Sequence, residues 1–203
     1  MGFLRASGKE LHRAGAGGPA RRAVLTGALG VATGLAGAVA GSVATAGPAA
    51  AQALGSARAE QADWRYCAKC YGLFFRGYTT DGACPTGGGH DAAGFNFNIP
   101  HDVPETAKAQ RNWRFCDKCF AMFWYGRSDS GICPTGSGHR MAGYDFVLPH
   151  DIPVSANSQR NWRFCDKCCC LFFYGHSDNG RCAAGGAHRR AGDFDFVLPY
   201  IPG

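Results

Sequence analysis

The chain has 203 residues, of which 46% are hydrophobic, and a formal net charge of +6. Positions 1–53 hold five Lys or Arg and one Glu, which leaves sixteen Lys or Arg against fourteen Asp or Glu, or +2, for the rest of the chain. This balance excludes the basic footprint that a nucleic-acid-binding protein needs, so no nucleic-acid partner is expected.

The first 53 residues have the pattern of a cleaved export signal. Basic residues, including the pair Arg21-Arg22, precede a long run of Ala, Gly, Val and Leu. Ala51-Gln52-Ala53 then has the small-x-small pattern of a cleavage site, and Ala57-Arg58-Ala59 is a second candidate. Glycines dilute the apolar run, so we expect no membrane span after cleavage. The Arg-Arg pair resembles a twin-arginine signal, which implies export of the folded protein to the cell envelope or the medium.

From Trp64 onward the chain repeats with a period of 49 residues. Tryptophan, three cysteines, one histidine and several glycines recur in register, and no insertion or deletion separates the copies until Asp193. The predicted organisation is a short N-terminal segment at 54–63, repeat 1 with its linker at 64–112, repeat 2 with its linker at 113–161, and repeat 3 at 162–203.

Each repeat has the pattern of β structure. In the first copy, a short strand at 64–67 leads into a Cys-x-x-Cys turn, and an apolar run at 71–75 favours a second strand. A turn at Asp81-Gly82 precedes a glycine-rich loop at 84–90, and a last strand ends at Pro100. No helical periodicity is present. The joints 101–112 and 150–161 have the composition of polar linkers.

Each repeat also offers Cys-x2-Cys-x13-Cys-x5-His, with one pair of ligands on a tight turn and the other on the glycine-rich loop. Three thiolates and one imidazole form a closed tetrahedral site of the structural kind. The predicted ligands are Cys67, Cys70, Cys84 and His90; Cys116, Cys119, Cys133 and His139; and Cys165, Cys168, Cys182 and His188. We expect three Zn²⁺ per chain and prefer zinc to iron, because an iron site of this kind more often has four cysteines.

Two ligand loops joined by a hairpin resemble a zinc ribbon, so the predicted fold is small, β-rich and metal-stapled, with three tandem zinc-ribbon-like modules. The alternative is one threefold, trefoil-like β domain in which the three units pack together. A module this small needs such a staple, since it can bury few core residues.

Disulfide bonding is the competing interpretation of the cysteines, since exported proteins often contain disulfides. Three cysteines per repeat cannot all pair, however, and the recurring histidine favours metal. Cys169 and Cys170 have no counterparts in the other repeats; we expect small buried thiols, with a vicinal or intermolecular disulfide as the alternative.

Other side chains give weaker signals. His101 and His150 match each other, but Tyr200 stands in their place in the third copy, so we expect surface or linker positions. Most aromatic residues must form the core of such small units, although one face of the Phe-Phe strand points outward and leaves carbohydrate stacking open. Trp124 has no tryptophan counterpart in the other copies.

No catalytic motif occurs in the chain, so an enzyme is not expected. Units of the form Trp-Arg-[Tyr/Phe]-Cys-x-Lys-Cys and Cys-Pro-Thr-Gly-x-Gly-His resemble tandem Cys/His repeats of secreted actinobacterial proteins, a resemblance that covers residues 64–203. It implies export and repetition. The predicted function is an extracellular binding protein whose partner is an unidentified protein or a cell-envelope glycan. A lectin-like carbohydrate-binding protein and extracellular metal storage are the alternatives.

Overall fold

A computed structural model describes residues 59–203, so the predicted export signal lies outside the described residues. All nine regular elements in this part are strands: β1 (Glu60–Cys67), β2 (Leu73–Phe75), β3 (Ala92–Pro100), β4 (Ala109–Cys116), β5 (Met122–Trp124), β6 (Met141–Pro149), β7 (Ser158–Cys165), β8 (Leu171–Phe173) and β9 (Arg190–Ile201). Within residues 59–203 no helix has the length and hydrophobicity of a membrane span.

Each repeat folds into three antiparallel strands with the first strand in the middle, and we call β1–β3 unit 1, β4–β6 unit 2 and β7–β9 unit 3. Trp64 on β1 lies opposite Phe75 of β2 and Phe97 of β3. The tryptophan is fully buried because two aromatic neighbours flank it in its own sheet. The same pairs recur as Trp113 with Trp124 and Phe146, and as Trp162 with Phe173 and Phe196.

The three units pack into one domain around a shared aromatic core. The Trp64 ring of unit 1 contacts Phe146 of unit 2 edge to face, with ring centroids 5.0 Å apart. The equivalent contacts run from unit 2 to unit 3 and from unit 3 back to unit 1: Trp113 with Phe196 at 5.1 Å and Trp162 with Phe97 at 5.2 Å. The predicted β-rich fold of three repeated units is confirmed. Of the two predicted arrangements, tandem modules or one threefold domain, the second describes how the three units pack.

Backbone hydrogen bonds close the same ring. The amide of Phe75 in unit 1 donates to the carbonyl of Phe120 in unit 2 at 2.9 Å. The equivalent bonds are Trp124 to Cys169 at 2.8 Å and Phe173 to Tyr71 at 2.9 Å. Each accepting residue has a positive φ, which turns its carbonyl out of its own unit and toward the neighbour.

Each segment between units begins with a buried residue and ends in a strand. Residues 109–112 and 158–161 belong to β4 and β7. The sequence predicts surface or linker positions for His101 and His150. Both follow directly on a strand, within the predicted linkers, but neither lies at the surface, because both are buried against an aromatic ring of the following unit. His101 stacks on Tyr144 and His150 on Phe194, each at 3.7 Å. In the third copy Tyr200 stacks on Phe95 at 3.9 Å, so an aromatic ring is needed there and an imidazole is not.

Candidate metal centres

The Cys-x-x-Cys turn closes at the end of the first strand of each unit. In unit 1 the Tyr71 amide donates to the Cys67 carbonyl at 2.9 Å, and the Cys67 amide donates to the Gly72 carbonyl at 3.0 Å. Tyr71 takes a φ of 66°, which ends the turn and starts the next strand. The turn directs the sulfur atoms of Cys67 and Cys70 toward one point.

The glycine-rich loop supplies the other two ligands. The Cys84 amide donates to the Gly88 carbonyl at 2.8 Å. Gly87 and Gly88 have φ values of 95° and 64°, which residues other than glycine rarely adopt. Lys69, inside the Cys-x-Lys-Cys turn, donates to the Gly87 carbonyl at 3.1 Å and so joins the two ligand loops. Lys118 and Lys167 bind the equivalent carbonyls of Gly136 and Gly185.

The structure brings all twelve predicted ligands together in three buried groups, one in each unit, with ligand atoms within 4.8 Å of one another. In unit 1 the Cys67 and Cys84 sulfurs are 3.9 Å apart, and the Cys70 sulfur is 3.5 Å from Nδ1 of His90. A tetrahedral zinc ion bound by sulfur and nitrogen requires about 3.8 Å and about 3.6 Å for these two distances. The residues therefore fit a tetrahedral metal ion of this size.

The disulfide alternative does not agree with the structure. All eleven cysteines are free thiols, and the sulfurs of Cys67 and Cys84 are far beyond the roughly 2.05 Å of a disulfide bond. A separation near 4 Å is instead the distance expected between two sulfur atoms that bind the same tetrahedral metal ion.

The protonation of the unit 1 group also suits a cation. Hydrogen bonds from Cys67 and Cys70 lower the pKa of the Cys84 thiol far below its usual value. Burial would lower the pKa of His90, but its bonds to Cys67 and Cys84 outweigh burial and raise it to about 9. The pKa of the Cys67 thiol is also lowered, mainly by its hydrogen bond to Cys70, whereas hydrogen bonds to Cys67 and Cys84 raise the pKa of the Cys70 thiol well above its usual value. The ligands of this buried group thus share protons, which a metal ion would replace.

Each ligand histidine is held by the next unit. With Nδ1 facing the sulfurs, Nε2 of His90 donates to the Cys119 carbonyl of unit 2 at 3.1 Å. The equivalent bonds, His139 to Cys168 and His188 to Cys70, are also 3.1 Å. Such a bond fixes the tautomer and orients the ring for a metal ligand. No local sequence pattern predicts this bond, because the acceptor lies 29 residues away in the first two cases and 118 in the third.

Cys169 and Cys170 stand outside the three groups. Both are buried free thiols, as expected from the sequence. Cys169 takes the positive φ of its counterparts, whereas Cys170 occupies the position of Gly72 and Ala121 near the junction of the three units. Its sulfur lies 3.3 Å from Nε2 of His139, on the side of the ring away from the metal group.

No family model, curated protein or solved structure matches this chain. The resemblance to secreted actinobacterial repeats therefore stays a prediction. The function is inferred below from the geometry of the metal centres and of the surface.

Proposed function

We propose that the protein is an exported, non-catalytic binding protein whose scaffold is held together by three structural Zn²⁺ ions. The observation that carries the proposal is the closed donor set: each group has four buried protein ligands, and its histidine is bonded to the neighbouring unit. A metal ion with four protein ligands has no position left for water or substrate, which favours a structural role over a hydrolytic one.

The donor atoms support the choice of metal. Thiolate and imidazole in a closed tetrahedral arrangement suit zinc, which has no redox chemistry of its own and no preference for another geometry. Export by a twin-arginine-type signal would deliver the domain already folded around its metal, and this part of the proposal depends on the sequence of residues 1–53.

Metal storage is the less favoured alternative. A storage protein must release its metal readily, but here each ligand is buried and each histidine also bonds to the adjacent unit. Release would disturb the packing between units, so we expect slow exchange and loss of fold on metal removal.

Native mass spectrometry of the exported protein, with and without a strong chelator, tests the proposal. We expect three zinc ions per chain, eleven reduced cysteines and a mature N-terminus after residue 53. Circular dichroism should show loss of the β structure after chelation. A metal-free chain with oxidised cysteines would overturn the structural-zinc proposal, and rapid exchange with an unchanged fold would favour storage instead.

A further inference from the structure

Three equivalent surface grooves lie at the junctions between successive units. The largest, groove 2–3, has a volume of about 510 Å³ and lies between units 2 and 3. Its counterpart between units 1 and 2, groove 1–2, measures about 410 Å³. Groove 3–1 measures about 210 Å³. The first two have the volume of small-molecule sites, and nothing in the metal centres accounts for them.

Aromatic rings from both units form the walls of groove 2–3. Trp124 of unit 2 packs edge to face on Phe164 of unit 3, with ring centroids 5.6 Å apart. Phe194 of unit 3 is 39% exposed, although His150 covers one of its faces. The other three tryptophans of the chain are fully buried in the core, so Trp124 is the tryptophan that the fold places at a surface groove.

A hydrogen-bond donor and an acceptor accompany these rings. The Trp113 indole donates to Oε1 of Gln110 at 3.1 Å, which fixes the amide and leaves its NH₂ group as a donor at the groove. Asp166 also lines the groove, held by Arg189 at 2.8 Å, and its carboxylate can accept further bonds. The same set recurs in groove 1–2 as Gln61, Phe75, Phe115, Asp117 and Tyr144.

We propose that grooves 2–3 and 1–2 each bind a sugar residue of a neutral glycan, which deepens the proposed binding function and rests on it. A sugar ring presents an apolar C–H face that packs on aromatic rings, and its hydroxyl groups both donate and accept. An amide NH₂ beside a carboxylate matches a hydroxyl-bearing ring. A run of consecutive prolines has no N–H groups to offer the carboxylate. Groove 2–3 is lined by two carboxylates, Asp166 and Asp193, against the one guanidinium of Arg127, so its net charge disfavours a phosphate group.

Groove 3–1 differs from the other two grooves in two ways. Ala68 stands where Asp117 and Asp166 stand in the other grooves, so the acceptor is missing. The Tyr66 hydroxyl and Nε2 of His176, from the two units that form this groove, are 3.0 Å apart and hydrogen-bonded to each other. We therefore expect two glycan sites per chain, with groove 2–3 the stronger because tryptophan offers the larger ring.

The test uses the zinc-loaded mature protein and four soluble hexasaccharides, built of glucose, mannose, galactose or N-acetylglucosamine. We expect at least one of them to change the fluorescence of the half-buried Trp124 and to bind in calorimetry with two sites per chain. Trp124→Phe introduces the residue that units 1 and 3 carry at this position, so the fold should be kept. Affinity at groove 2–3 should fall roughly tenfold, since one aromatic stacking surface is reduced.

Asp166→Ala, which introduces the residue found at position 68, should weaken the same site, whereas Phe173→Trp in groove 3–1 should leave binding unchanged. The zinc content and circular dichroism of every sample are measured alongside. Absence of binding by all four hexasaccharides to a protein with three zinc ions would overturn the glycan proposal and leave the structural-zinc proposal intact. Binding of deca-proline in place of the sugars, or sugar binding unaffected by Trp124→Phe and Asp166→Ala, would also overturn it.

Discussion

A single carboxylate holds the residue before the central tryptophan in unit 3. Oδ1 of Asp195 accepts the Asn161 amide at 2.8 Å, and Asn161 needs this partner because its φ of 71° takes its amide out of the strand ladder. Oδ2 of Asp195 accepts Arg160 at 2.7 Å. Unit 1 has Asn96 in the place of Asp195, and its Oδ1 accepts the Asp63 amide at 2.8 Å. Both units therefore have a side-chain oxygen that accepts this backbone amide, whereas unit 1 lacks the ion pair with arginine that Asp195 forms in unit 3.

Substitutions at Asp195 should separate these two roles. Asp195→Asn keeps the acceptor and should cost about 1 kcal/mol of unfolding free energy, because the pairs with Arg160 and Arg163 are lost. Asp195→Ala also leaves the Asn161 amide without its partner and should cost about 2–3 kcal/mol. Urea denaturation at neutral pH measures both. Equal costs for the two variants would show that the charge, and not the acceptor, is what matters.

In the proposed zinc site the histidine has two separable roles, metal binding through Nδ1, which faces the sulfurs, and a bond to the next unit through Nε2. His90→Cys should keep a four-ligand zinc site while losing the bond to the Cys119 carbonyl. We expect three zinc ions by mass spectrometry, with zinc affinity at this site reduced about 10–100-fold. His90→Ala removes a ligand outright and should lose the zinc ions of all three units together. If His90→Cys binds zinc as tightly as the unchanged protein, the inter-unit bond does not orient the ligand.

At the scale of the strands and loops, the sequence predicted what is local. The Cys-x-x-Cys turn, the glycine-rich loop and the strand order within a unit follow from short spacings, so the twelve metal-site residues could be named. The strand predicted at 71–75 is shorter, Leu73–Phe75, because Tyr71 takes a positive φ and Gly72 instead forms a bridge to Phe172 of unit 3. That contact joins residues 100 positions apart, and no local pattern encodes it.

The burial of His101 and His150 was likewise not predictable from local sequence patterns. Their polar flanks are typical of linkers, but their burial depends on an aromatic ring that another unit supplies. The 49-residue period established that the units are alike without establishing which of their faces meet.

The turn before the third ligand cysteine fits tightly against the neighbouring unit. Gly131 has a φ of +63°, and a Cβ atom there would lie 2.2 Å from the Cys168 carbonyl oxygen, the atom that also accepts His139. Gly143 has a similar φ of +69° but open space around it. A side chain at either glycine would therefore strain the backbone to a similar extent, but only a side chain at Gly131 would also clash with a neighbouring unit.

Alanine at these two positions should give very different results. Gly143→Ala should cost about 1 kcal/mol, the strain of a left-handed residue with a side chain. Gly131→Ala must in addition push unit 3 away, and we expect a loss of about 4 kcal/mol or more. Thermal unfolding and zinc content measure both effects. Similar melting temperatures for the two variants would contradict the close approach of units 2 and 3.

At the scale of the whole molecule, the contacts between units form a closed ring. Histidine to carbonyl, tryptophan to phenylalanine and strand to loop all run from unit 1 to unit 2, from unit 2 to unit 3 and from unit 3 to unit 1. No unit is terminal in this arrangement, so each metal group has its histidine anchored on one neighbour and its second cysteine carbonyl engaged by the other. Loss of one metal ion should consequently destabilise all three units.

We expect the three metal ions to be bound and lost together. A structural zinc site contributes roughly 10–16 kcal/mol of apparent binding free energy, which equals or exceeds the roughly 5–15 kcal/mol that stabilises an ordinary domain. Cys133→Ser, which removes one ligand from unit 2, should therefore abolish the folded state of all three units. Chelator titration of the unchanged protein, followed by native mass spectrometry, should show chains with three zinc ions and chains with none, and few between.

Cys170→Ala is the matched control for this experiment, because it removes a buried cysteine that is not a ligand and introduces the residue that unit 2 carries as Ala121. This variant should keep three zinc ions and a single unfolding transition close to that of the unchanged protein. If Cys133→Ser instead retained two zinc ions and unfolded in separate steps, the units would be independent modules. The ring of histidine-to-carbonyl bonds would then contribute packing without coupling the metal sites.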